Sequence, residues 1–110
     1  MKIRGDSKNG ILRLRLLGEL DHHAAASAMK EIDDIMDRYI PVDCALDLSG
    51  LSFMDSSGVG MLIGYYKEMS ALGGRVAVSG VRPRIEKLFY VSGLHKIIKT
   101  YSKVEDVFHE

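Results

Sequence analysis

The sequence predicts an α/β domain: a mixed, mostly parallel sheet of four to five strands with an N-terminal antiparallel hairpin and about four helices. Three observations carry this. Residues 11–17 alternate Leu12, Leu14 and Leu16 with Arg13 and Arg15, the period of a strand with one buried and one wetted face. The short runs 44–48 and 76–78 are mostly apolar, as strands covered on both faces are. Between them lie segments with helical spacing, so successive strands need crossover connections and run parallel.

Residues 2–6 form the first strand, because Lys8-Asn9-Gly10 is a turn signal that folds them back on residues 11–17 as a hairpin. The alternation in 11–17 places that segment toward a sheet edge. Residues 18–21 read as a loop, and Asp21 can cap the helix that follows. In that helix Ala25, Ala28, Ile32, Ile35 and Tyr39 recur on one side, while Lys30, Glu31, Asp34 and Asp37 take the other. The helix stops before Pro41, which also restricts Ile40 to an extended conformation.

Residues 44–48 are the central parallel strand, followed by a loop over 49–54. From Ser57 the spacing is helical again, with Val59, Leu62, Ile63, Tyr66 and Met69 as the stripe and Gly73-Gly74 as the stop. Val76-Ala77-Val78 is the next buried strand. Pro83 suits a first helical position, Ile85, Leu88 and Phe89 give that third helix an apolar face, and Ser92-Gly93 closes it. Ile97-Ile98 predicts a last strand, and Val104, Val107 and Phe108 a short terminal helix. With this order the segments 18–21, 49–57 and 79–82 all emerge at the carboxyl ends of strands and share one face.

Composition narrows the function classes. The 110 residues suit one domain spanning 1–110, with 46% hydrophobic and 27% charged residues. The 15 Lys and Arg equal the 15 Asp and Glu, so no net charge draws the chain to nucleic acid. No apolar run approaches the roughly 20 residues that span a bilayer, and no signal-like segment follows Met1-Lys2-Ile3-Arg4, which predicts a cytoplasmic protein without a membrane partner. The single cysteine, Cys44, sits among Ala45, Leu46 and Leu48 and reads as a core residue without a role in chemistry.

The segment MDSSGVG at 54–60 carries the functional signal, because it opens a helix with two hydroxyls beside a carboxylate. A serine nucleophile needs a base and oxyanion donors, and the hydrolase elbow presents it as Gly-x-Ser-x-Gly; no glycine stands two places before Ser56 or Ser57. His22 and His23 are candidate bases, but adjacent residues at a helix start point in different directions. Asp21-His22-His23 lacks a second ligand group at metal spacing, with His95 and His109 isolated. Gly58-Val59-Gly60 has neither the Walker lysine nor a third glycine, since Ile63 stands in its place. No metal or cofactor is called for.

Beside an enzyme acting through Ser56 or Ser57, two further readings are open. In one, Asp55 or Ser56 caps the helix and Gly58 and Gly60 let it approach the sheet. In the other, a serine at the helix start accepts a phosphoryl group, whose charge of about −1.5 to −2 suits the helix dipole and repels acidic groups of a docked partner.

GELDHH at 18–23 and LSFMDSSGVG at 51–60, with Gly73-Gly74, Leu88-Phe89 and Ser92-Gly93-Leu94, together resemble the STAS-domain anti-sigma factor antagonists of spore-forming bacteria. The likeness covers essentially the whole chain and implies the STAS fold and a binding protein without catalytic activity. It implies that the serine after the motif aspartate, Ser56, is phosphorylated, with Ser57 as its alternate. It implies a cycle in which the unphosphorylated monomer binds the anti-sigma factor serine kinase in its nucleotide-bound state and releases the sporulation sigma factor F. Phosphorylation ends that binding and a PP2C-type serine phosphatase restores it. The family's contact surface maps to Gly18, Glu19, Asp21, His22, Asp55, Ser56, Ser57 and Gly58. Asp21 either pairs with a basic residue of the kinase or caps its helix. Asp55 either orients the Ser56 hydroxyl or touches the partner, and Met54 and Met61 either line the docking surface or pack in the core. The alternative role for such a domain is an interaction module of a stress-response or transporter-associated complex.

Overall fold

The computed structural model describes residues 1–39 and 43–108; the stop assigned to Pro41, its effect on Ile40, and His109 lie outside the described residues. The strands are β1 (Lys2–Lys8), β2 (Ile11–Leu20), β3 (Asp43–Met54), β4 (Arg75–Ser79) and β5 (Lys99–Tyr101), ordered β1-β2-β3-β4-β5 in one sheet. The helices are α1 (His22–Tyr39), α2 (Ser56–Ala71) and α3 (Pro83–Ser92), with single 3₁₀ turns at Leu94–Lys96 and Val104–Asp106. β1 and β2 are antiparallel, and every other pairing is parallel.

The hairpin turns on Asn9 and Gly10, with φ of 54° and 78° and Lys8 opposite Ile11, the left-handed pair that matches the strands' twist. β1 takes the edge, so β2 lies one strand in, and β3 is central as expected. Parallel strands in sequential order, joined by right-handed crossovers, keep their helices on one face. That face holds the main core, where Leu12, Leu14 and Leu16 of β2, Cys44, Leu46 and Leu48 of β3, and Val76 and Val78 of β4 meet Ile32, Leu62, Ile85 and Phe89 of the helices. The intervening residues look the other way. There Ala45 and Ala77 are covered by Val107, with Val104 and Phe108 packed alongside.

Several boundaries differ from the sequence reading. The loops expected at 18–20 and 49–54 are strand: β2 and β3 pair through Leu20 and Met54, with register shifts at Arg15/Leu17 and Gly18/Glu19. These irregularities break the strict alternation that marks a strand in sequence. The last strand is Lys99–Tyr101 rather than Ile97-Ile98, because Ile98 turns into the core while Ile97 stays exposed. The terminal helix is a single 3₁₀ turn whose neighbour Val107 is buried. Tyr39 is exposed, although Ala25, Ala28, Ile32 and Ile35 form the buried face of α1 as expected.

On α2 the buried face comprises Gly58, Val59, Met61, Leu62, Tyr65 and Met69. Ile63 and Tyr66 are partly buried beside it. Apolar residues surround this helix on most sides, so its period alone does not select a face. Met54 and Met61 are both core residues. Burial also pushes the Cys44 thiol up to about 12, which leaves it protonated and inert at neutral pH.

Candidate functional site at two helix starts

The carboxyl ends of β2 and β3 deliver α1 and α2 side by side. Each helix starts with an aspartate followed by a pair of polar residues, Asp21-His22-His23 and Asp55-Ser56-Ser57. The first amides of a helix lack partners within it, and an aspartate before the first turn supplies one. Asp21 does so locally: its Oδ1 accepts from the Ala24 amide at 2.9 Å.

Asp55 does more. Its Oδ1 accepts from the Ser57 amide of its own helix at 2.9 Å, and its Oδ2 accepts from the His22 amide of α1 at 3.0 Å. The Asp55 amide in turn donates to the Leu20 carbonyl at 3.3 Å. One carboxylate therefore ties two helix starts together, at a point where both helix dipoles favour negative charge. Above this tie, His22 Nδ1 lies 3.3 Å from Ser57 Oγ.

The two serines consequently differ. Ser57 is partly buried and faces His22, whereas Ser56, the first residue of α2, is exposed. Gly58 is buried: a Cβ there would stand 2.5 Å from Met54 Cγ and 3.1 Å from Leu20 Cδ2, so its missing side chain lets α2 seat against the ends of β2 and β3. The same role expected of Gly60 is not found, because a Cβ at Gly60 meets open space. Gly18 has φ of 111°, a conformation that side chains resist, and its carbonyl accepts from Ser52 Oγ at 3.1 Å. Glu19 beside it is exposed.

The three strand-end segments do share one face. His22 reaches Asp55 and Ser57, and Arg82 Nε donates to the Ser49 carbonyl at 3.1 Å. Below Ser57 a groove of about 460 Å³ runs between α1 and α2, lined by residues that include Ala25, Met29, Gly60, Met61 and Tyr65. At its far end the Tyr65 hydroxyl donates to Asp33 Oδ1 at 3.0 Å and lies 3.1 Å from the Met29 carbonyl. Burial first, then the neighbouring Asp33, raises the pKa of that hydroxyl, so it stays a donor.

Tyr65 and the Ser52 and Arg82 contacts are absent from the sequence reading. Tyr65 follows Met61 by four residues, a spacing that would have found it had the stripe been drawn one position round the helix.

Of the two candidate bases, His22 does reach the serine pair. The contact does not make a catalytic triad: both Asp55 oxygens accept backbone amides, so this carboxylate is not the partner that orients the His22 ring. What the arrangement can do is present an exposed hydroxyl on a rigid helix start. Among the described residues no three His, Cys, Asp or Glu converge to hold a metal, and no helix is long and apolar enough to cross a membrane.

Comparison with known proteins shows the family to which the chain belongs. The chain is 39% identical over 101 residues to the anti-sigma F factor antagonist of Paenibacillus polymyxa, covering 92% of this chain and 86% of the relative. The solved anti-sigma factor antagonist SpoIIAA in its unphosphorylated form superposes with a TM-score of 0.80 at 29% identity, over 98% of this chain and 95% of that one. The phosphorylated form of the Bacillus cell fate determinant SpoIIAA superposes with a TM-score of 0.73 at 29% identity, over 98% of both chains. With the STAS domain model matching residues 2–107, this chain belongs to the STAS domain family.

Proposed function

We propose that this chain is an anti-sigma factor antagonist switched by phosphorylation of Ser56. Unphosphorylated, it binds the anti-sigma factor serine kinase in its nucleotide-bound state and releases the sporulation sigma factor F; the phosphorylated form does not bind until a PP2C-type phosphatase removes the phosphate. The cycle uses the chain as a cytoplasmic monomer and as a regulator with no catalysis of its own. The single observation that carries this reading is the exposure of Ser56 at the first position of α2, beside a partly buried Ser57.

A phosphate on Ser56 would sit at a helix N-terminus, where free amides and the dipole tolerate its charge, so the domain stays folded. A kinase aligned on Ser56 must also hold its nucleotide's terminal phosphate against the same hydroxyl. Once Ser56 carries a phosphate, a fresh nucleotide in that complex faces like charge at close range, and Asp55 adds to it. Gly18, Glu19, Asp21, His22, Asp55, Ser56, Ser57 and Gly58 make up the proposed contact region, with Gly58 acting through the seating of α2. The relatives named as anti-sigma F factor antagonists, and the solved phosphorylated SpoIIAA, support the reading.

The test is binding to the cognate anti-sigma factor with nucleotide. Ser56→Ala is expected to bind like the wild type, and Ser56→Asp at least about 100-fold more weakly, since like charge in a desolvated contact costs several kcal/mol. Equal affinities for the two variants would overturn the proposal.

A further inference from the structure

The two serines are adjacent, both hydroxyls belong to the first turn of α2, and a kinase docked over one is within reach of the other. Their surroundings differ in one respect that belongs to α1. His22 Nδ1 stands 3.3 Å from Ser57 Oγ, and the His22 backbone is itself fixed by the 3.0 Å bond from its amide to Asp55 Oδ2. The same Asp55 carboxylate holds the Ser57 amide at 2.9 Å. Both ends of the His22–Ser57 contact are thus anchored to one rigid group. Resting on the phosphorylation reading above, we propose that His22 is a positioning residue that turns the Ser57 hydroxyl toward α1 and so directs phosphoryl transfer to Ser56.

The chemistry of the transfer makes this restraint effective. The serine oxygen attacks the terminal phosphorus of a nucleoside triphosphate, a new O–P bond forms, the bond to the bridging oxygen breaks, and the diphosphate leaves with the electron pair. The hydroxyl proton passes to a base of the kinase or to water. Attack requires the oxygen lone pair to lie in line with the leaving oxygen. With the ring neutral and its proton on Nε2, the Ser57 hydroxyl donates to Nδ1; with the ring protonated, Nδ1 donates to Ser57 Oγ. In both states the oxygen is engaged on the α1 side and partly buried. Ser56 carries no such restraint from His22 and stands exposed.

The experiment measures site-resolved phosphorylation rates with the cognate anti-sigma factor and ATP, in the wild type and in a Ser56→Ala background. In that background His22→Ala is expected to raise the Ser57 rate by about tenfold, the worth of one hydrogen bond that no longer has to be broken. His22→Asn, whose amide stands close to the place of Nδ1, is expected to restore the low Ser57 rate. That rescue separates positioning from a general loosening of α1, as do matched unfolding midpoints for the variants. An unchanged Ser57 rate in His22→Ala, with Ser56 still modified in the single variant, would overturn the inference and leave the phosphorylation reading standing. A lower Ser57 rate, taken relative to the Ser56 rate of the His22→Ala single variant so that any change in docking cancels, would show that the ring activates this hydroxyl, and would also overturn it. Absence of phosphate from Ser56 and Ser57 in both the wild type and His22→Ala would overturn the phosphorylation reading, and the inference with it.

Discussion

The starts of α1 and α2 are built to the same local plan and carry different loads. Asp21 satisfies an amide three residues along its own helix and goes no further. Asp55 satisfies an amide of α2 and another of α1, so removing it loosens the junction between two elements rather than the end of one. The residues that follow diverge in the same way. His22 is drawn into that junction by its amide and its ring, while Ser56, at the equivalent place in α2, is left exposed. A capping residue thus takes on a second structural role by position: the tie between the two helix starts also holds the turn from which the Ser56 hydroxyl projects.

Breaking each cap separately tests this contrast with the largest effect. Asp55→Ala is expected to cost about 3 kcal/mol of unfolding free energy, because two charge-assisted bonds are lost and two helix-start amides are left without them; Asp21→Ala is expected to cost about 1 kcal/mol. Urea unfolding of the two variants under one set of conditions measures the difference, and equal costs would contradict the bridging role.

A second contrast lies one turn into α2. Gly58→Ala is expected to destabilise by about 2 kcal/mol, since the new methyl group meets Met54 and Leu20, whereas Gly60→Ala is expected to stabilise by about 0.5 kcal/mol through better helix propensity. Thermal melts of both variants check the opposite signs.

The smallest effect is expected far from the junction, at the other end of the sheet. The Arg75 guanidinium hydrogen-bonds the Asp43 carboxylate, with Arg75 Nη2 at 2.9 Å from Oδ2, and holds that carboxyl below its usual range. A carboxyl depressed in the folded state contributes stability that is complete above the ordinary aspartate pKa of about 4 and is lost as the pH falls through the lower folded value. Asp43→Asn, which still accepts from the Arg75 amide, is expected to cost about 0.5 kcal/mol at pH 7, with the difference from the wild type shrinking below about pH 4. Unfolding measured from pH 7 down to pH 3 follows the convergence.

Much of the frame can be read from residues whose local preference agrees with their final surroundings. Asn9-Gly10 needs left-handed backbone wherever it lies, the alternating leucines of β2 face one core, and Gly73 and Gly93 end their helices with φ of 80° and 79°. The late halves of β2 and β3 escape because their pairing is irregular, so Gly18 to Leu20 and Ser49 to Met54 lose the two-residue period while remaining strand. The face of α2 escapes because apolar residues and glycines fill its middle from Val59 to Tyr66 and leave no single stripe. At the site, Asp21 and Asp55 are legible as caps, since that function is local. The second bond of Asp55 and the reach of His22 to Ser57 depend on how two helices, some thirty residues apart in sequence, are set side by side by their strands.

The central claim is that the junction presents Ser56, and Ser56 alone, to a kinase. Incubating the unmodified chain with its cognate anti-sigma factor and ATP, then locating phosphate by tandem mass spectrometry, tests it most directly. A single phosphate on Ser56 is the expected result; phosphate on Ser57, at a site away from the α2 start, or nowhere on the chain would contradict the account.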